Sequence, residues 1–61
     1  MDFQLINHFT LVQFVMLTDQ ARDWADTHIP PEAFLGSSFV AEARYAEPIV
    51  AGIIDAGLLL E

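Results

Sequence analysis

The sequence predicts an α+β fold in which two helices pack on one face of a small two- to three-stranded sheet, in the order strand, helix, strand, helix. Three observations predict it. Residues 45–58, YAEPIVAGIIDAGL, carry Ile49, Val50, Ile53 and Ile54 on one stripe at the 3.6-residue period, which marks a helix with a wet face and a dry face. Residues 9–17, FTLVQFVML, are dense in β-branched and aromatic side chains with apolar residues at both parities, as in a strand covered on both faces. Between them, residues 18–31 open on a capping Thr18 and close on Pro30-Pro31, a start and a stop for a second helix.

Taken in order, DFQLI reads as a short first strand over residues 3–6, joined to the next strand at Asn7-His8, where Asn tolerates left-handed geometry. A helix over residues 3–16 competes with this reading, because Leu5, Phe9, Val12 and Met16 also match helical spacing. A strand is expected at 9–16. Thr18 then caps a helix at 19–28, with Asp19 and Asp23 near the positive end of its dipole and His28 near the negative end. Ala21, Trp24 and Ala25, with His28 as a further candidate, form its inward stripe, and Asp19 can pair with Arg22 at three-residue spacing.

Residues 30–38 read as a loop, with Phe34 and Leu35 tucked against the core. Residues 38–43 alternate, Phe39 and Ala41 on one face and Val40 and Glu42 on the other, which predicts the second main strand. The closing helix follows almost directly, with Tyr45 a turn before the aliphatic stripe and Pro48 in the first turn, where no N–H is needed. Gly57 is expected in left-handed conformation past its end, with Leu58 folding back on the last turn. Residues 57–61 either extend into a short edge strand or fray. If the two main strands are parallel neighbours, the connection through residues 18–37 allows a right-handed crossover. The other face of the sheet, apolar through Leu11, Val12, Phe14 and Val15, then needs a cover such as a second copy.

Residues 1–61 make a single small domain, and a chain of this length buries only about 60% of the surface exposed when unfolded. A hydrophobic content of 54% exceeds what that interior can hide. An exposed apolar patch or a homodimer is therefore expected. With no cysteine, neither a disulfide nor thiolate ligation can staple the fold. The start lacks a basic signal-peptide region, and the uncharged run from Phe3 to Thr18 is too short and too interrupted by Gln4, Asn7, His8, Thr10 and Gln13 to span a bilayer. A cytoplasmic protein is expected. Nine acidic residues against Arg22 and Arg44 give a net charge of −7, which disfavours direct contact with nucleic acid or an anionic membrane.

Candidate sites are few. His28 near Asp23 and Asp26 specifies no metal geometry, and neither a metal nor a cofactor is expected. Asp23 with Glu32 or Glu42 lacks any sign of a cleft. Ser37 and Ser38 lack a nucleophile context and read as turn residues, and LGSS lacks the glycine spacing and lysine of a phosphate loop. No catalytic residue is assigned. Trp24, Phe34 and Tyr45 can form an aromatic recognition surface, although a domain this small needs such anchors for its core. Arg44, between Glu42 and Glu47, either bridges those acids or offers a guanidinium to an acidic ligand. These four are the candidate interaction residues.

The runs LTDQARDWADTHIP and FVAEARYAEPIVAGIIDAGL, with their Arg44-Tyr45 and Gly57-Leu58 pairs, resemble short uncharacterised proteins of bacteria and their phages or mobile elements. The resemblance covers roughly residues 17–58 and leaves out the N-terminal FQLINHF. It implies a prokaryotic origin and an accessory role, and brings no catalytic residue with it.

The expectation is a small acidic cytoplasmic module without catalytic activity, acting on a protein partner or a second copy through an apolar surface. The alternative is an acidic DNA mimic that occupies the basic groove of a nucleic-acid-binding protein. Mimicry needs Asp19, Asp23, Asp26, Glu32, Glu42, Glu47 and Asp55 in spaced rows on one face; a solvated module scatters them.

Overall fold

Alternation of side chains along residues 11–16 decides the architecture, because a pleated strand sends Val12, Phe14 and Met16 to one face and Leu11, Gln13 and Val15 to the other. In the computed structural model, which covers residues 1–61, this strand is β2 (Leu11–Met16). It follows β1 (Phe3–His8) and precedes α1 (Asp19–His28), a 3-10 turn (Pro31–Ala33), β3 (Phe34–Leu35), β4 (Ser38–Glu42) and α2 (Ala43–Asp55). The fold class is α+β with two helices, as expected. Element order and strand number differ: two strands precede α1, and the four strands form one sheet in the order β1-β2-β4-β3. Every pair is antiparallel, so there is no parallel crossover.

The difference arises at two tight turns. β1 runs on to His8, and β1 and β2 are joined through Phe9-Thr10 rather than Asn7-His8. Asn7 does not take the left-handed position itself; its Oδ1 accepts the Phe9 N–H at 2.9 Å, and Phe9 adopts φ 66°. The stretch expected as loop contains a second hairpin, in which Phe34 pairs with Phe39 and Leu35 with Ser38 around Gly36-Ser37. Gly36 there has φ 60°. In both loops the first residue alone has positive φ, the pattern of a type II′ turn.

Helix α1 matches its expected bounds. Thr18 Oγ1 accepts the Ala21 N–H at 3.1 Å, and Ile29 closes the last turn by donating to the Ala25 carbonyl before Pro30. Asp19 and Arg22 do not form an ion pair, in keeping with how little an exposed pair gains. Helix α2 begins at Ala43, straight off β4, so Pro48 is its sixth residue and lies outside the first turn. The added turn is anchored at Ala43, whose N–H donates to the Thr10 carbonyl at 2.8 Å, and it brings Ala46 against the core. The buried stripe is consequently Ala46, Ile49, Val50 and Ile53, which leaves Tyr45 and Ile54 exposed on its flanks.

Gly57, at φ 80°, ends α2 as expected. Its N–H reaches the Ile54 carbonyl and the Leu58 N–H reaches Ile53, the paired bonds of a Schellman cap. Beyond the cap, residues 59–61 lie parallel to the start of β1, with Phe3 N donating to Leu59 O and Glu61 N donating to Phe3 O. Asp2 ties the three corners together. Its carboxylate accepts from Thr18 Oγ1 at 2.6 Å and from Leu59 N at 2.9 Å. These bonds, the Leu59 amide first and the Thr18 hydroxyl second, hold its pKa below the ordinary 3.8.

Phe3, Val12, Phe14, Met16 and Phe39 share one face of the sheet by register and are buried with Ala21 and Ala25 of α1 and Ile53 of α2. Both helices thus cover the same face. Phe14 stacks on Phe39 at 4.7 Å, and Phe3 meets Trp24 and Phe39 edge-on at 6.0 and 6.2 Å. No helix is long and apolar enough to cross a membrane.

Candidate interaction surface

The same register that buries five strand residues turns their neighbours away from the helices. Ile6 lies opposite Gln13 and Gln13 opposite Val40, while Val15 lies opposite Ser38 and Leu11 opposite Glu42. These side chains, with Gln4 opposite Val15, His8 opposite Leu11 and Leu35 beside Ser38, form the sheet face turned away from the core that both helices cover. Leu11 and Leu35 are 41% and 62% exposed; Val15 and Val40 are half-buried among their neighbours. The sequence reading that gave both faces of residues 11–15 an apolar character is therefore divided: Val12 and Phe14 belong to the core, Leu11 and Val15 to the uncovered face.

A chain of hydrogen bonds crosses this face from edge to edge. His8 Nε2 donates to Gln13 Oε1 at 3.0 Å, Gln13 Nε2 donates to Ser38 Oγ at 3.0 Å, and Ser38 Oγ donates to the Leu35 carbonyl at 3.1 Å. One residue from each strand takes part. No buried side-chain nitrogen or oxygen in the molecule lacks a partner. Apart from His8, the only titratable side chain on the four strands is Glu42, and Arg44 sits 3.3 Å from it.

At the tip of the β1–β2 hairpin, Phe9 is 95% exposed and held at positive φ. A bulky residue in that backbone region is strained by roughly 1–2 kcal/mol. Asn7 and Phe9 border the one concavity of the molecule, which is open to solvent. No three His, Asp or Glu side chains converge on a common point.

The four candidate residues occupy three places. Trp24 is half-buried against Phe3, with the His28 ring stacked on it at 4.5 Å and His28 Nδ1 donating to the Trp24 carbonyl. Phe34 packs on Phe39 at 6.0 Å. Arg44 and Tyr45 do come together: the guanidinium lies 4.9 Å above the Tyr45 ring while bonded to Glu42, though not to Glu47. Sequence reasoning passed over Phe9, because no local pattern announces an aromatic at a left-handed turn position. Comparison of the chain with protein-family models, curated proteins and solved structures finds no match.

Proposed function

We propose that this chain is a small acidic interaction module of the cytoplasm, without catalytic activity, that meets a protein partner or another copy of itself through apolar surface left on its sheet layer. The observation that carries this reading is Phe9. The two type II′ turns of the fold use the same backbone device, yet one has Gly36 in the left-handed position and the other has a phenylalanine that touches almost nothing in its own chain. Folding alone favours glycine there. An exposed aromatic held in a strained turn is the kind of side chain that anchors interfaces. Arg44 and Tyr45 add a cation–π pair that can contribute to a contact.

The test is cross-linking mass spectrometry of the tagged chain in its host, comparing the native sequence with Phe9→Gly. Partners recovered by the first and lost by the second support the reading. Identical recovery removes Phe9 as the anchor and the reading with it.

A second reading, DNA mimicry, draws on α1, where Asp19, Asp23 and Asp26 are all exposed and fall on one stripe at spacings of four and three residues. Against it, Glu42 lies on the uncovered sheet face, paired with Arg44, away from that row. Displacement of duplex DNA from a basic DNA-binding domain, lost at high salt, is its signature.

A further inference from the structure

We infer that the uncovered sheet face docks on the same face of a second copy, giving a back-to-back dimer with the acidic helices outward. This deepens the interaction-module reading and rests on it, but on residues other than Phe9. Charge identifies the occupant. Residues 3–17 contain no Asp, Glu, Lys or Arg, and Glu42, the one acid on the strands, is matched by Arg44 at 3.3 Å. The whole net charge of −7 thus resides off this face. A basic partner would be drawn to the acids of the helices and loops, whereas this face, with Ile6, Leu11, Val15, Leu35 and Val40 set among Gln4, His8, Gln13, Ser38 and the Glu42–Arg44 pair, carries no net charge and so can meet its own copy without repulsion, as a twofold interface requires.

The polar groups of the face are prepared for burial. Gln13, Ser38 and His8 Nε2 bond to one another and to the Leu35 carbonyl, so burial of these central groups orphans little, while the exposed Gln4 amide lies on the edge strand β1. The edges of the sheet are less available than its face: residues 59–61 cover the start of β1, and β3 is only two residues long. The two longest dimensions of the molecule, 26 and 20 Å, bound the face and limit the area lost by two copies to roughly 1,000 Å², below the standard range and within that of weak, transient contacts. Each protomer has 3998 Å² of accessible surface, close to the roughly 4,000 Å² usual for a folded monomer of its mass. The dimer is accordingly weak and reversible, between two chains that fold singly.

The test is sedimentation velocity of the full chain from about 10 μM to about 1 mM, a range that brackets a weak dimer. The native chain should pass from monomer to dimer, and added salt should tighten the association by screening two like-charged bodies. Leu11→Glu should weaken it by about a hundredfold or more with unchanged circular dichroism, because it places like charges in a dehydrated contact. Ile54→Glu, on the exposed flank of α2, should leave it intact. Should Leu11→Glu fail to fold, Val15→Thr, which swaps a methyl for a hydroxyl, should still weaken association about tenfold. A native chain that stays monomeric throughout overturns the proposal, as does a dimer sensitive to Ile54→Glu and indifferent to Leu11→Glu. A monomer that keeps its Phe9-dependent partners leaves the interaction-module reading standing alone.

Discussion

Gln13 Nε2 donates to Ser38 Oγ at 3.0 Å across the β2–β4 pair, and Ser38 is the one buried polar residue of the protein. The bond joins the central strands diagonally, since Gln13 faces Val40 and Ser38 faces Val15 in the register. Ser38 also donates to Leu35 and so holds the short strand β3 in place. Ser38→Ala removes both bonds and leaves the part-buried Gln13 amide without its acceptor, at a cost of about 1–2 kcal/mol. At about 4–8 °C per kcal/mol for a domain of this size, the melting temperature should fall by roughly 4–16 °C in a calorimetric scan. Gln13→Leu, which keeps the Ser38–Leu35 bond, should cost less than Ser38→Ala.

Gly52 and Trp24 set the distance between the helices. A Cβ placed on Gly52 would stand 3.2 Å from Trp24 Cζ2, tighter than an ordinary contact. Trp24 cannot retreat freely, because Phe3 meets its edge and His28 covers its face. For Gly52→Ala, a gain of about 1 kcal/mol in helix propensity offsets the push on the indole, so stability should change by less than about 1 kcal/mol while the Trp24 emission shifts. Gly52→Val adds two methyls in the same space and should destabilise by about 2 kcal/mol or more, read from urea unfolding.

Asp2 makes stability depend on pH in a definite direction. Its folded pKa is depressed below 3.8, so its contribution is fully present above the ordinary carboxylate value and is lost as pH falls through the folded value. Asp2→Ala should melt below the native chain at neutral pH, and the gap should close as pH falls below 3.8 and through the depressed folded value. Since Asp2 orients the Thr18 cap through a 2.6 Å bond, the combined Asp2→Ala, Thr18→Ala variant should lose less than the sum of the single variants. A gap that widens in acid would contradict this account.

Both helices, the alternation of Phe39 and Ala41 against Val40 and Glu42, and the glycine cap at Gly57 were legible in the sequence, because each rests on a local rule of spacing or capping. The sheet topology was less so. β3 is two residues long and exists only because β4 offers it a partner, so no periodicity can announce it. Pro48 is a start signal by composition, but Ala43 bonded to Thr10 and Ala46 packed on the core extend the helix upstream of it. Trp24 and Phe34 read as core anchors first and as a recognition surface second, but only the fold shows that Phe3 and Phe39 are what they pack against. The candidate surface was legible in outline as surplus apolar residues. Its division into a buried and an uncovered set waited on the antiparallel register of β2.

Phe9→Gly separates the needs of the fold from those of a contact. Phe9 takes part in no aromatic pair and in no part of the core, and occupies φ 66° at the first position of the turn, where an L side chain is strained by about 1–2 kcal/mol. Glycine relieves that strain and adds about 0.5–1 kcal/mol of backbone entropy cost on folding. The hairpin keeps its other supports, the Ala43 N–H on the Thr10 carbonyl and the full β1–β2 ladder. The variant should therefore be as stable as the native chain or more so by up to about 1 kcal/mol, a rise of a few degrees in melting temperature. A fall of more than about 1 kcal/mol would mean that the aromatic ring supports the fold after all, and the case for Phe9 as an outward-directed anchor would fail with it.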